Sequence, residues 1–206
     1  MVFLIVHLEP VGGKRVFMRN KKTNVQRLTF GAICIALSFV LSCFICFKLP
    51  NGGTITIGSM IPIALYAYAF GPAYGIFAGL VYGLLQFLQS PYFLSWPQFI
   101  CDYVLAFVCF GLVGFFGAKS RFGLDNGKIR IKPMFAGIVL AGLGRLACAT
   151  VSGAVFFAEY CWEGWNVWPY SLAYNCSYII PDVAICILIL CVPAVRAALN
   201  KIMPQT

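Results

Sequence analysis

One carboxylate stands out as the group in this sequence able to do chemistry. Asp102 lies inside a long apolar run, residues 99–116. A charge at membrane depth costs several kcal/mol and is kept where it meets a partner or a cationic ligand. Nearby segments supply Tyr92, Tyr103, Trp162, Trp165, Tyr170 and Asn175. Aromatic faces attract cations, so rings gathered round one carboxylate suit an organic cation with a flat ring. The same residues admit another reading, in which Asp102 faces the headgroup region and the tyrosines form an ordinary aromatic belt. The first reading predicts a membrane protein that binds a small cationic ligand.

Other spacings carry weaker signals. Arg145 and Asp182 fall near mid-membrane on two different apolar segments. Opposite charges at matching depth neutralise each other, which predicts a structural ion pair rather than a proton relay. Ala32 and Ala36 are small residues four apart, a spacing that lets another helix approach closely. They serve either a partner subunit or contacts within the bundle. Gly75, Gly79 and Gly83 form a similar ridge, expected to pack internally. The aromatic stretch 156–170 is either a lid over a pocket or an anchor at the membrane surface. The only histidine is His7, and nine of the ten cysteines lie in apolar segments and read as small helix residues, with Cys161 alone in a loop, so neither a metal site nor a cofactor is expected.

These residues must be positioned by membrane helices. Of the 206 residues, 61% are hydrophobic and only 10% charged, against about 25% charged in soluble domains. At about 20 residues per span, the apolar stretches hold roughly six helices. They are expected at about residues 23–47, 57–70, 73–88, 98–118, 133–158 and 170–199. The fold class is therefore all-α, an integral membrane six-helix bundle over residues 23–200 with no second domain. Residues 1–22 are expected to be a poorly ordered tail, with Met18 as an alternative start. The net charge of +9 does not indicate nucleic-acid binding, because the basic residues sit in loops. Arg19, Lys21, Lys22 and Arg27 precede helix one, residues 119–132 form a basic loop, and Arg196 and Lys201 lie at the end. Positive charge favours the cytoplasm, so both termini are placed there, with Asp102 and Asn175 near the outer third of the bilayer. No GxxxxGK[ST] motif is present, so any active transport draws its energy from a partner or an ion gradient.

The segment Leu49-Pro50-Asn51-Gly52-Gly53-Thr54-Ile55-Thr56-Ile57-Gly58-Ser59-Met60-Ile61-Pro62 resembles the first outer loop and second helix of the thiamine-specific S-components of energy-coupling factor (ECF) transporters. So do residues 75–86, 98–107 (QFICDYVLAF), 152–165 and 170–175 (YSLAYN). The resemblance covers residues 23–200. It implies a six-helix bundle in the bacterial cell membrane that binds thiamine near the outer face and has no ATPase of its own. It implies work with a transmembrane coupling subunit and two cytoplasmic ATPase subunits. The family's acidic residue facing the thiazolium falls on Asp102, its tyrosine neighbour on Tyr103, and pocket tyrosines on Tyr92 and Tyr170. The pocket asparagine falls on Asn175, and an aromatic position on Phe157. Trp162 lies in the loop above them. The family's docking motif falls on Ala32 and Ala36. One position departs: where relatives often have histidine on helix five, this chain has Ala149. A lost polar contact there costs about 1–3 kcal/mol. Thr150, Ser152 or a water takes its place, or the ligand is a thiamine precursor or analogue such as a pyrimidine or thiazole fragment.

Three other classes compete. An S-component for another vitamin would share the fold without the Asp102–Tyr103 pair and the YSLAYN segment. A membrane enzyme needs clustered catalytic groups, which three intramembrane charges do not supply. A self-sufficient carrier is disfavoured by small size and the lack of a visible internal repeat.

Overall fold

A computed structural model of the chain describes residues 13–50, 52–117, 124–125 and 128–202. Among these, seven helices follow one another: α1 (Gly13–Cys43), α2 (Met60–Phe70), α3 (Pro72–Gln89), α4 (Trp96–Phe116), α5 (Ile131–Phe156), α6 (Val167–Cys191) and α7 (Pro193–Ile202). Two short antiparallel ribbons join them: β1 (Ile45–Lys48) with β2 (Thr54–Thr56), and β3 (Leu124–Asp125) with β4 (Lys128–Ile129).

Among the described residues, four helical segments are long and apolar enough to cross a membrane: Asn24–Cys43, Trp96–Phe116, Ile131–Phe156 and Val167–Cys191. Their outward surface is apolar, with Leu28, Ile33, Leu143 and Leu188 all exposed. The interior holds the polar groups: Ser38, Ser42, Thr56, Ser59, Gln98, Ser152, Ser171, Asn175 and Asp182 are buried. This reversal of the soluble pattern is that of a protein solvated by lipid. Helix α2 is apolar all round and every one of its 11 residues is buried. At 1.5 Å per residue it is only half the bilayer thickness, so it is an interior helix wrapped by α1, α3 and α4 rather than a span.

Several elements differ from the sequence reading. Helix one begins at Gly13 and ends at Cys43, so residues 13–22 are helical; residues 1–12 lie outside the described part. The stretch after Cys43 leaves the helix and pairs as β1–β2, so the chain is not purely α. β-Branched Thr54, Ile55 and Thr56 favour strand, and Gly52 at φ 94° makes the turn. The expected sixth helix is two helices. Val192 is extended (φ −65°, ψ 121°) because it precedes Pro193, which starts α7 at its first position. Much of the basic loop 119–132 lies outside the described residues.

The glycine ridge on α3 is used internally. A Cβ on Gly79 would strike the Phe107 carbonyl, and one on Gly83 the Tyr103 carbonyl. Glycine there lets α3 lie directly against the backbone of α4 and so fixes the depth of Asp102. Helix α5 packs on α4 and α6. A Cβ on Gly153 would strike Ser171 Oγ, which sets the close approach of α5 to α6.

Candidate functional site

The C-terminal ends of α3 and α5 and the N-terminal ends of α4 and α6 meet at one end of the bundle, the mouth. Ser95 caps α4 by accepting from Gln98 N at 3.4 Å, and Asn166 caps α6 by accepting from Trp168 N at 3.1 Å. Asp102 follows, on a π-helical turn (Ile100–Leu105). Such a turn re-aims side chains and recurs at functional sites. The carboxylate is only partly exposed, and Gln98 Nε2 donates to its Oδ2 at 2.7 Å.

Aromatic rings form the rim in two groups. Tyr92 stacks on Phe157 with centroids 5.5 Å apart and planes at 27°. The Tyr92 and Tyr160 hydroxyls lie 3.3 Å apart. That hydrogen bond, followed by burial and the nearby Glu159, raises the Tyr92 phenol above its ordinary range, so Tyr92 is a neutral ring at physiological pH. In the second group Trp162 meets Trp165 and Tyr170 edge-on, each at 5.5 Å. Trp162 and Trp165 remain more than half exposed. An aromatic rim over a carboxylate can hold a cation by ring faces and by charge together.

Tyr103 is placed elsewhere. Its hydroxyl donates to the Ser90 carbonyl at 3.1 Å and its ring packs on Phe87 and Phe99. Asn175 is buried and committed to the protein. Its Nδ2 donates to the Ser171 carbonyl at 2.8 Å and the Ala149 carbonyl at 3.2 Å, while its Oδ1 accepts from Tyr178 at 2.7 Å. Ser171 Oγ donates to the Thr150 carbonyl at 2.8 Å. Asn175 and Ser171 thus bolt α6 to α5 beside Ala149. Two buried hydroxyls on this part of α5, those of Thr150 and Ser152, make no well-formed hydrogen bond among the described residues. The Ser152 side chain approaches the Asp102 carboxyl. Unsatisfied buried polar groups cost stability, so they point to use by something other than the fold.

Deeper in the bundle, Arg145 Nη1 lies 3.3 Å from Asp182 Oδ2. Thr56 donates to the other oxygen twice, from N at 3.1 Å and Oγ1 at 2.8 Å. Arg145 also lies over the Phe107 ring at 5.2 Å. A cavity of about 20 Å³, room for one water, is lined by these groups with Tyr82 and Gln86. The β1–β2 ribbon reaches this depth along α6, where Gly53 N donates to Tyr174 at 3.0 Å. Of this ribbon, Gly53 and Thr56 are buried against α6, while β1 is exposed along its length.

Sequence reasoning passed over Gln98, Tyr160 and Thr56. The first was legible in the Ser95-Trp96-Pro97-Gln98 capping pattern. The sequence reading also missed a CxxC pair, Cys43-Phe44-Ile45-Cys46, having expected none; both cysteines are free and exposed. Among the described residues no three His, Cys, Asp or Glu stand together as metal ligands.

Comparison with known proteins agrees with this architecture. Thiamine transporter ThiT of Bacillus subtilis (strain 168) is 34% identical over 178 residues, 84% of this chain and 92% of the relative. Thiamine transporter ThiT of Lacticaseibacillus paracasei is 32% identical over 123 residues, 56% of this chain and 61% of the relative. The solved structure of ThiT from Listeria monocytogenes superposes with a TM-score of 0.73 at 27% identity, covering 87% of this chain and 96% of that one. The family described as Thiamine transporter protein (Thia_YuaJ) matches residues 28–201, and this multi-pass membrane protein belongs to it.

Proposed function

We propose that this chain is the thiamine-binding S-component of an ATP-driven ECF uptake transporter. The observation that carries the reading is Gln98 joining the Asp102 carboxylate to the backbone of Tyr92, whose ring stacks on Phe157, in a chain of the thiamine transporter family. Thiamine carries a fixed positive charge on a flat ring. Asp102 meets the charge, and Tyr92, Phe157, Trp162 and Tyr170 supply ring faces and edges at the mouth. Asn175 shapes the α5–α6 wall, and Tyr103 seats α4 on α3. Helices α1 to α6 form the six-helix S-component bundle, and α7 is an appended helix.

The mouth faces outward and both termini are cytoplasmic. Arg27, Arg130, Lys132, Arg196 and Lys201 lie toward the end opposite the mouth, as the positive-inside rule requires. The chain has no ATPase of its own and is not an enzyme. It captures thiamine outside and releases it inside with a transmembrane coupling subunit and two cytoplasmic ATPase subunits. Ala32 and Ala36 are exposed on α1 and so are free to dock on that coupling subunit.

Tryptophan fluorescence of the purified protein, titrated with thiamine, tests the reading, with riboflavin, biotin and the isolated pyrimidine as controls. Saturable quenching by thiamine alone is the expected result. A response to a fragment or another vitamin and none to thiamine would overturn the substrate.

A further inference from the structure

Ser95-Trp96-Pro97-Gln98 opens α4 as a modified capping box. In the usual arrangement the serine accepts from the N–H three residues on, and the glutamine side chain reaches back to the serine's own N–H. The first half is present, Gln98 N donating to Ser95 Oγ. The second half is shifted by one residue: Gln98 Oε1 accepts from Leu94 N at 3.2 Å. The shift leaves Nε2 to donate to the Tyr92 carbonyl at 3.4 Å and to Asp102 Oδ2 at 2.7 Å. A primary amide has two N–H donors and one carbonyl, so these three partners engage all of its polar groups. Gln98 is 1% exposed.

One buried side chain therefore fixes both the carboxylate and the backbone of the residue whose ring stacks on Phe157. We infer that Gln98 is a positioning residue of the ligand site. It locks the orientation of Asp102, leaves Oδ1 to meet a cationic ligand, and holds Tyr92 at the rim. The inference rests on the reading of Asp102 as a cation site. A helix cap alone does not need the Nε2 donor. Gln98→Glu keeps an acceptor for Leu94 N, but removes that donor and turns one carboxylate toward another.

The test is a thiamine titration of five purified proteins: wild type, Gln98→Glu, Gln98→Leu, Asp102→Asn, and Gln98→Leu combined with Asp102→Asn. Gln98→Glu and Gln98→Leu should each lose tenfold or more in affinity. On the Asp102→Asn background, Gln98→Leu should cost less than threefold, because most of its effect acts through the carboxylate. A purely structural cap would cost the same factor on both backgrounds, or none on either. Equal factors, or unchanged affinity in Gln98→Glu, overturn the inference while the functional reading stands. If Gln98→Leu does not fold, Gln98→Glu decides alone. Wild-type protein that does not bind thiamine, or Asp102→Asn that binds as well as wild type, overturns the functional reading and the inference with it.

Discussion

Thr56 and Asp182, 126 residues apart in sequence, make a two-point contact in the buried centre of the protein. One carboxylate oxygen accepts the Thr56 N–H and hydroxyl, and the other meets Arg145. Removing one partner of a buried ion pair strands the other charge and costs about 3–5 kcal/mol. Asp182→Ala should therefore lower the thermal unfolding temperature in detergent steeply. Asp182→Asn keeps an acceptor for Thr56 and should lose less. Exchanging the charges, Arg145→Asp with Asp182→Arg, restores the pair but gives Thr56 no acceptor. Recovery should then be partial; complete recovery would show that the Thr56 bonds contribute nothing.

Asp102 accepts from Gln98, has the Ser152 side chain nearby and pairs with no cationic side chain among the described residues, so its charge does little for the fold. Asp102→Asn removes that charge at nearly constant shape. Thiamine affinity should fall at least tenfold, with the unfolding temperature unchanged or higher because the partly buried charge at this position is then gone. Unchanged affinity would remove the carboxylate from the site.

Ser152 offers a sharper discrimination. Its hydroxyl is fully buried and, with the Asp102 carboxyl nearby, has no well-formed hydrogen bond among the described residues. If only the fold mattered, Ser152→Ala would be neutral or stabilising, since it deletes an unsatisfied polar group. We expect that stability effect together with a roughly twofold to tenfold loss of thiamine affinity, the usual range for one neutral hydrogen bond. Binding and unfolding measured on the same preparation would separate the two. A stabilised protein with unaltered affinity would leave the hydroxyl without a ligand role.

The reach of the sequence is clear from these residues. Asp102 and the pair Arg145–Asp182 were legible because charge in an apolar run is expensive wherever it points. The internal use of Gly75, Gly79 and Gly83 was legible because glycines four apart form one face. The direction of Tyr103 was not. Neighbours on a helix point about 100° apart, and a π turn changes even that offset. The second partner of Asp182 was hidden because a strand residue on a loop read as a helix breaker supplies it. Gln98 was written in a capping pattern, but the apolar window around it drew attention to the carboxylate alone. The break between α6 and α7 was signalled by Pro193 and masked by continuous hydropathy.

Gly83 tests the seating of α4. A methyl group there would meet the Tyr103 carbonyl, which is backbone and cannot rotate aside. Gly83→Ala must push α3 from α4 at the level of the π turn. Overpacking of this kind costs about 1–3 kcal/mol. Because Asp102 rides on the same turn, thiamine affinity should fall together with the unfolding temperature. Loss of stability with full affinity would show that the carboxylate is positioned independently of α3.

Ala36 separates binding from transport. It is exposed on α1, beside exposed Ile33 and Leu37, and so does not pack within the bundle. A tryptophan there adds bulk to the surface and leaves the interior untouched. Ala36→Trp should keep thiamine affinity and unfolding temperature at wild-type values. In cells that also express the coupling subunit and its ATPases, thiamine uptake should fall at least tenfold, because close helix approach depends on a small residue at the contact. Ala32→Trp should behave alike, and an exposed control on another helix, Leu188→Trp on α6, should retain uptake. Undiminished uptake in both alanine variants would place the docking face elsewhere on the protein. A drop in unfolding temperature would instead show that α1 uses this stripe within its own bundle.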